Sequence, residues 1–168
     1  FYKQPNLHLV FKSEKDLRDF KEPNNKSSSK STFLKIPKKI SNIDNFHQGE
    51  WWVQDFSSML PLALNAKIKN NDILDICAAP GGKAFQILSN NNVVLNDINK
   101  KRILKLKENL IRLNYNPEIK NLNALDFNEN IKYDIVLLDS PCSSIGTIRK
   151  HPEIFFRSTK PNFASLNK

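Results

Sequence analysis

Cysteine, glycine and methionine are scarce in this chain, at two, four and one in 168 residues. The two cysteines, Cys77 and Cys142, form no C-x-x-C pair. That excludes a disulfide scaffold and a cysteine-rich zinc site, and it fits a reducing, cytoplasmic setting. No second His or third acid recurs at ligand spacing, so no metal is expected. No apolar run reaches the roughly 18 residues of a membrane span. The first residues, Phe1-Tyr2-Lys3-Gln4-Pro5, carry no signal-peptide pattern. An initiating Met is also absent, which suggests a piece of a longer chain. Acids are the minority charge, 17 against 26 Lys and Arg, which gives a net charge of +9 and a pI near 9.6. Such a balance suits an anionic partner such as nucleic acid. A chain rich in Lys, Asn and Ile throughout reaches the same charge without a designed patch. The length suits one domain with a small appendage, expected to be a monomer.

Two of the four glycines fall in one nonamer, Asp75-Ile-Cys-Ala-Ala-Pro-Gly-Gly-Lys83. An apolar run, Ile73–Cys77, enters it and a helix-compatible run, Ala84–Leu88, leaves it. A strand thus runs into a small-residue turn and on into a helix. Gly81 and Gly82 permit φ > 0 and close approach of a ligand to the backbone. In an open parallel sheet, nucleotides bind beyond the carboxyl end of such a strand. The spacing is neither G-x-G-x-x-G nor a P-loop. Asp97 follows the run Val93–Asn96, close to the roughly 20-residue offset of a ribose-binding acid. A Gly-Gly pair alone reads as a plain turn; the whole nonamer with Asp97 reads as a site.

The rest of the chain organises around this turn. Leu7–Phe11 and Thr32–Ile36 read as strands, and Ser13 as the N-cap of a helix over Glu14–Phe20. Lys21–Ser31 reads as a loop or linker by composition. Residues 1–45 form a small α+β appendage, and 46–168 the main domain. Asp55 caps a helix from Phe56 to about Asn65, short or kinked because of Pro61. Trp51 and Trp52 offer rings for base stacking, although burial is the commoner fate of such residues. Strands are expected at Ile73–Cys77, Val93–Asp97, Ile119–Asn123 and Tyr133–Asp139, and helices at Lys83–Leu88 and Lys100–Leu113. In the last helix Ile103, Leu106, Leu110 and Leu113 make one apolar stripe. Lys101, Lys105, Lys107 and Arg112 make a face expected to be solvated. Alternating strands and helices imply right-handed βαβ units and a parallel sheet.

A second chemical stretch follows Ile135-Val136-Leu137-Leu138, an apolar run expected to be a central parallel strand. It delivers Asp139-Ser140-Pro141-Cys142-Ser143 to its carboxyl end, beside the glycine turn by topology. A lone cysteine there is most often a small buried hydrophobe. An acid and a thiol together at a strand tip point to a site. Arg149, Lys150 and His151 follow in a Pro-broken loop, where His151 is expected to be satisfied locally.

The nonamer, Asp139–Ser143, Ile148–Ile154 and Gly49-Glu-Trp-Trp-Val-Gln-Asp55 together resemble the NOL1/NOP2/Sun family of RNA cytosine-C5 methyltransferases. The nearest branch is the bacterial one acting on 16S ribosomal RNA. The resemblance covers roughly Phe46 to Phe156. It implies a Rossmann-like α/β fold with S-adenosylmethionine as cofactor and RNA, ribosomal RNA in particular, as substrate. The turn residues Cys77, Ala78, Ala79, Pro80, Gly81, Gly82 and Lys83 would hold the methionine end of the cofactor. Asp97 would take the ribose, with Arg102 near it, Asp126 would face the adenine, and Asp139 would border both cofactor and base. Asp126 and Arg102 rest on the family alone.

Methylating cytosine at C5 requires a thiolate to add at C6, making C5 nucleophilic, and a base to remove the C5 proton afterwards. Asp139 suits stabilisation at N3. The resemblance gives Cys142 a role in product release and places the attacking thiol in a later Thr-Cys-Ser motif. No Thr-Cys-Ser occurs in these 168 residues, and four sheet strands are visible where the family uses seven. The chain is therefore expected to be a truncated, catalytically incomplete piece with an incomplete sheet and an open apolar edge. The alternative is a non-catalytic RNA-binding relic. An amino-group methyltransferase is disfavoured because Cys142 stands where those enzymes place an aromatic ring. A nicotinamide-dependent oxidoreductase is disfavoured because G-x-G-x-x-G is missing.

Overall fold

A computed structural model of the chain describes residues 5–36, 38–65, 67–127, 130–140, 142, 147 and 151–156. Leu7–Asp139 form one compact unit, and the described residues from Ser140 onward belong to a second.

The first unit opens with four short strands, β1 (His8–Phe11), β2 (Asn24–Ser28), β3 (Ser31–Leu34) and β4 (Trp51–Val53), in an antiparallel sheet of order β2-β3-β1-β4. Helix α1 (Glu14–Asp19) follows β1. Its Ser13 cap is a full capping box, in which the Ser13 hydroxyl accepts from the Asp16 N–H and the Asp16 carboxylate accepts from the Ser13 N–H. The expected linker over Lys21–Ser31 is corrected here, because Asn24–Ser28 is a strand. Its residues have poor strand propensity, but pairing with β3 decides the matter. The polar side chains are used in that pairing: Thr32 Oγ1 donates to Asn24 Oδ1 at 2.8 Å, and Ser27, Ser28 and Ser31 share hydroxyl contacts of 2.6 to 2.9 Å. A polar strand at a sheet edge is also a poor template for unwanted pairing. β4 lies beyond the division drawn at residue 45 and closes this sheet by pairing with β1.

Helix α2 (Phe56–Ala63) follows, with Asp55 at its N-cap position and Pro61 inside it. Next come β5 (Asp72–Asp75), α3 (Gly82–Leu88), β6 (Asn92–Asn96), α4 (Lys100–Arg112), β7 (Glu118–Lys120) and β8 (Ile135–Leu137). The second sheet is parallel throughout, in the order β7-β6-β5-β8. Consecutive residues Ile73, Leu74 and Asp75 are all buried, as a parallel strand covered on both faces requires. β8 differs: it ends the row of described strands, and Val136 and Leu138 are 54% and 63% exposed. The strand expected to be central is thus an edge among the described residues.

The α4 stripe packs as its period demands, with Ile103, Leu106, Leu110 and Leu113 all buried. Both tryptophans are buried, so neither offers a stacking face. Val10 and Trp52 from the first sheet enter one apolar core with Phe85, Leu95, Leu106 and Leu113. Trp51 belongs to a second cluster with Leu9, Phe11 and Leu34.

Arg112 departs from the expected solvated face. Its guanidinium lies under the Phe46 ring, 4.3 Å from the centroid, and Nη1 donates to the carbonyls of Phe46 and Trp51, each at 3.0 Å. Gly49 (φ +67°) closes over it. A Cβ at Gly49 would fall 1.8 Å from the Arg112 carbonyl oxygen, which explains the glycine in the Gly49–Asp55 stretch. Lys12 donates to the Leu113 carbonyl at the end of α4 and lies over the Tyr115 ring. Together these contacts fasten the first sheet to the last helix of the βαβ array.

Candidate functional site

The site is built at the carboxyl ends of β5, β6 and β8. β5 pairs with β6 on one side and β8 on the other, with Asp75 opposite Leu95 and Leu137. The backbone continues that pairing past the strand ends: Ile76 N–H donates to Leu137 O, and Ala78 N–H to Asn96 O. The chain then turns through Ala79-Pro80-Gly81 into α3. Gly81 has φ +122°, and its α-carbon lies so close to Phe85 that a Cβ would strike the ring. Only glycine fits that corner.

Three carboxylates surround the turn, each in a different setting. Asp97 is buried, and its oxygens accept from Ala79 N–H (3.2 Å) and Asn99 N–H (2.9 Å). Arg102 lies 3.4 Å from Asp97 and donates to the Ala79 carbonyl. Ala79 is thereby held from both its N–H and its C=O by the two residues expected near the ribose. Asp139 is half-exposed, with its Oδ1 2.5 Å from the Lys83 ammonium. That ion pair joins the last residue of the nonamer to the acid beyond β8. The expected adjacency of these two tips is therefore met within the first unit. Asp75 is only 1% exposed, and its Oδ1 has no hydrogen-bond partner. Burial pushes its pKa up to about 7; the Cys77 backbone N–H and Lys83 oppose the rise, while Asp139 and Asp97 add to it. Cys77 is half-buried, and burial followed by the Asp97 and Asp75 charges pushes its thiol pKa up. It therefore stays a thiol at neutral pH.

Asp126 is exposed in a 3-10 turn, Ala124–Asp126, whose N-cap Asn123 accepts from the Leu125 N–H. Cys142 is exposed and belongs to the second unit, and it is not disulfide-bonded to Cys77. His151 Nδ1 contacts Glu153 Oε1 at 2.9 Å, a local pairing as expected. Pro141, Ser143 and the stretch 148–150 lie outside the described residues.

Sequence reasoning missed Asn96. It is buried, and its amide donates to Ile76 O and Leu122 O while accepting from Leu122 N–H, tying the ends of β5, β6 and β7 together. An amide closing the otherwise apolar run Val93-Val94-Leu95 was the available signal. Gln54 was also missed. It accepts from the Trp52 indole N–H and donates to Gln86, which donates on to the Met59 carbonyl.

A parallel sheet with a glycine turn at one strand tip and an acid at the next is a Rossmann-like layout, and the solved structures it matches place it among the methyltransferases. The "methyltransferase homolog protein" of Pyrococcus horikoshii superposes with a TM-score of 0.68, at 25% identity, over 83% of this chain and 52% of that one. NSun6 of the same organism, solved with SFG, superposes with a TM-score of 0.57, at 28% identity, over 68% of this chain and 33% of that one. Ribosomal RNA small subunit methyltransferase B of Photorhabdus laumondii is 38% identical over 151 residues, 86% of this chain and 35% of its own length. The profile of the family described as 16S rRNA methyltransferase RsmB/F matches residues 61–168. The chain belongs to that family. It spans about a third of the length of the curated relatives it matches.

Proposed function

We propose that this chain carries the S-adenosylmethionine-binding part of an RNA cytosine-C5 methyltransferase that acts on 16S ribosomal RNA. The observation that carries the reading is the Lys83–Asp139 pair, which brings the donor turn and the acid of the second motif to one edge of the sheet. The residues present suit the cofactor. The turn has no side-chain bulk at Gly81 or Gly82, and a buried carboxylate oxygen lies beneath it without a partner. The cofactor named for the family is consistent with SFG, an S-adenosylmethionine analogue, in the NSun6 structure.

In this reading Cys77–Lys83 hold the methionine end, Asp97 the ribose with Arg102 beside it, and Asp126 the adenine. The cofactor supplies an electrophilic methyl group. Asp139 stabilises the cytosine at N3 while C5 acts as nucleophile, and Lys83 fixes that carboxylate at the strand tip. Cys142 serves in release of the product. The thiol that adds at C6 belongs to a Thr-Cys-Ser motif that these 168 residues do not contain. The anionic substrate matches the net charge of +9.

The test is methyl transfer by the full reading frame, from tritiated S-adenosylmethionine to unmodified 16S RNA. Incorporation into cytosine C5 is expected. With Cys142→Ala, a protein–RNA adduct should accumulate. Loss of adduct formation in that variant would instead make Cys142 the attacking group, and no incorporation with the native protein would remove the reading altogether.

A further inference from the structure

Of the three carboxylates around the turn, two are occupied. Asp97 accepts two backbone N–H groups with Arg102 beside it, and Asp139 is paired with Lys83. Asp75 is the deepest of the three, and its Oδ1 is buried without a partner. An orphaned buried carboxylate oxygen is costly, so a native site that keeps one demands a reason. The charged and titratable groups that face it come from every neighbouring element. They are Cys77 on its own loop, Lys83 from α3, Asp97 beyond β6 with Arg102 of α4 against it, and Asp139 beyond β8.

We propose that Asp75 is the residue by which this site distinguishes its donor from its spent product: the cationic sulfonium draws it fully into the carboxylate form, and the neutral thioether leaves it sharing its proton as in the free protein. The proposal rests on the donor reading above and adds a selectivity determinant to it. The cationic donor differs from its demethylated product by one positive charge, at sulfur. Arrival of that charge at the turn favours the ionised form of a nearby acid, as any opposite charge within a few ångströms does. The Asp75 O–H bond then breaks, its electron pair stays on the carboxylate, and the proton passes to solvent. Loss of the methyl group removes the cation, so the acid takes a proton back and the product is held less tightly.

Burial sets the Asp75 pKa at about 7, so the free protein holds roughly half a proton there at neutral pH. Asp97 and Asp139 are poorer candidates because each already has donors or a cation in place. The Cys77 thiol is displaced in the wrong direction to release a proton at this pH.

The experiment is calorimetric titration of the chain with S-adenosylmethionine and with S-adenosylhomocysteine, each at pH 7 in phosphate and in Tris. The different ionisation heats of the two buffers report the protons released. About half a proton per bound donor is expected, and close to none for the product. The ratio of donor to product affinity should rise roughly tenfold between pH 6 and pH 8. Asp75→Asn should abolish both effects. Carbon-13 carboxyl NMR of the unaltered protein gives the same answer without a variant, as a fall in the Asp75 pKa on donor binding. Binding of the donor with no proton release, or equal release with the product, overturns this proposal and leaves the donor reading standing. No binding of either ligand overturns both.

Discussion

The chain buries two ionisable groups of opposite sign in opposite circumstances. Arg112 sits where the first sheet meets α4. Its guanidinium is desolvated, which pushes its pKa down, yet it donates to two carbonyls and is covered by the Phe46 and Trp51 rings. Although Nε lacks a partner, the delocalised charge is well supported. Asp75 sits at the tip of β5 with an empty oxygen and two other carboxylates for company. The first arrangement is what stability selects; the second weakens the free fold, and the donor site proposed above gives it a reason. The two places therefore separate scaffold from site, and substitutions should separate them in the same way.

The largest loss is expected at Gly49→Val. A side chain there meets the Arg112 carbonyl at 1.8 Å from a backbone at φ +67°, so urea denaturation should show a loss of about 4 kcal/mol. Arg112→Ala strands the Phe46 and Trp51 carbonyls and should cost about 3 kcal/mol in the same assay.

Asp75→Asn should act in the opposite direction. The Asp75 carboxyl keeps its proton to about pH 7 in the folded protein and to about pH 4 in the unfolded chain. The folded state therefore binds more protons between those values, and stability falls as pH rises from 4 to 7 and is flat above. The variant should lose that slope and be more stable than the native protein by roughly 4 kcal/mol at pH 8, about three pKa units at ~1.4 kcal/mol each, with the difference vanishing near pH 4. A stability loss at pH 8 would show that Asp75 belongs with Arg112 as scaffold. The smallest effect is expected at Ser13→Ala, which removes one arm of the capping box and should cost about 1 kcal/mol.

The same division governs what was legible in the sequence. The parallel sheet was readable because Ile73-Leu74, Val93-Val94-Leu95 and the α4 stripe bury apolar side chains at the period of their own elements. The site was readable because its turn needs glycine at Gly81, a requirement local in sequence. The polar strand Asn24–Ser28 was not, since only β3, paired across a turn, makes it a strand. Arg112 was misread because its partners, Phe46 and Trp51, lie some 60 residues away, so its helical neighbours gave no sign of them. Asp75 stood inside the quoted motif, yet its burial depends on the neighbouring strands. Local chemistry shows in a sequence; long-range satisfaction of polar groups does not.

The most direct test compares the two regions in one experiment, by following backbone amide resonances of the native chain as S-adenosylmethionine is added. The account predicts saturable shifts at Cys77–Lys83, Asp97 and Asp139, with β1 to β4 and the Arg112 joint unmoved. Shifts confined to the first sheet, or none at saturating ligand, would contradict it.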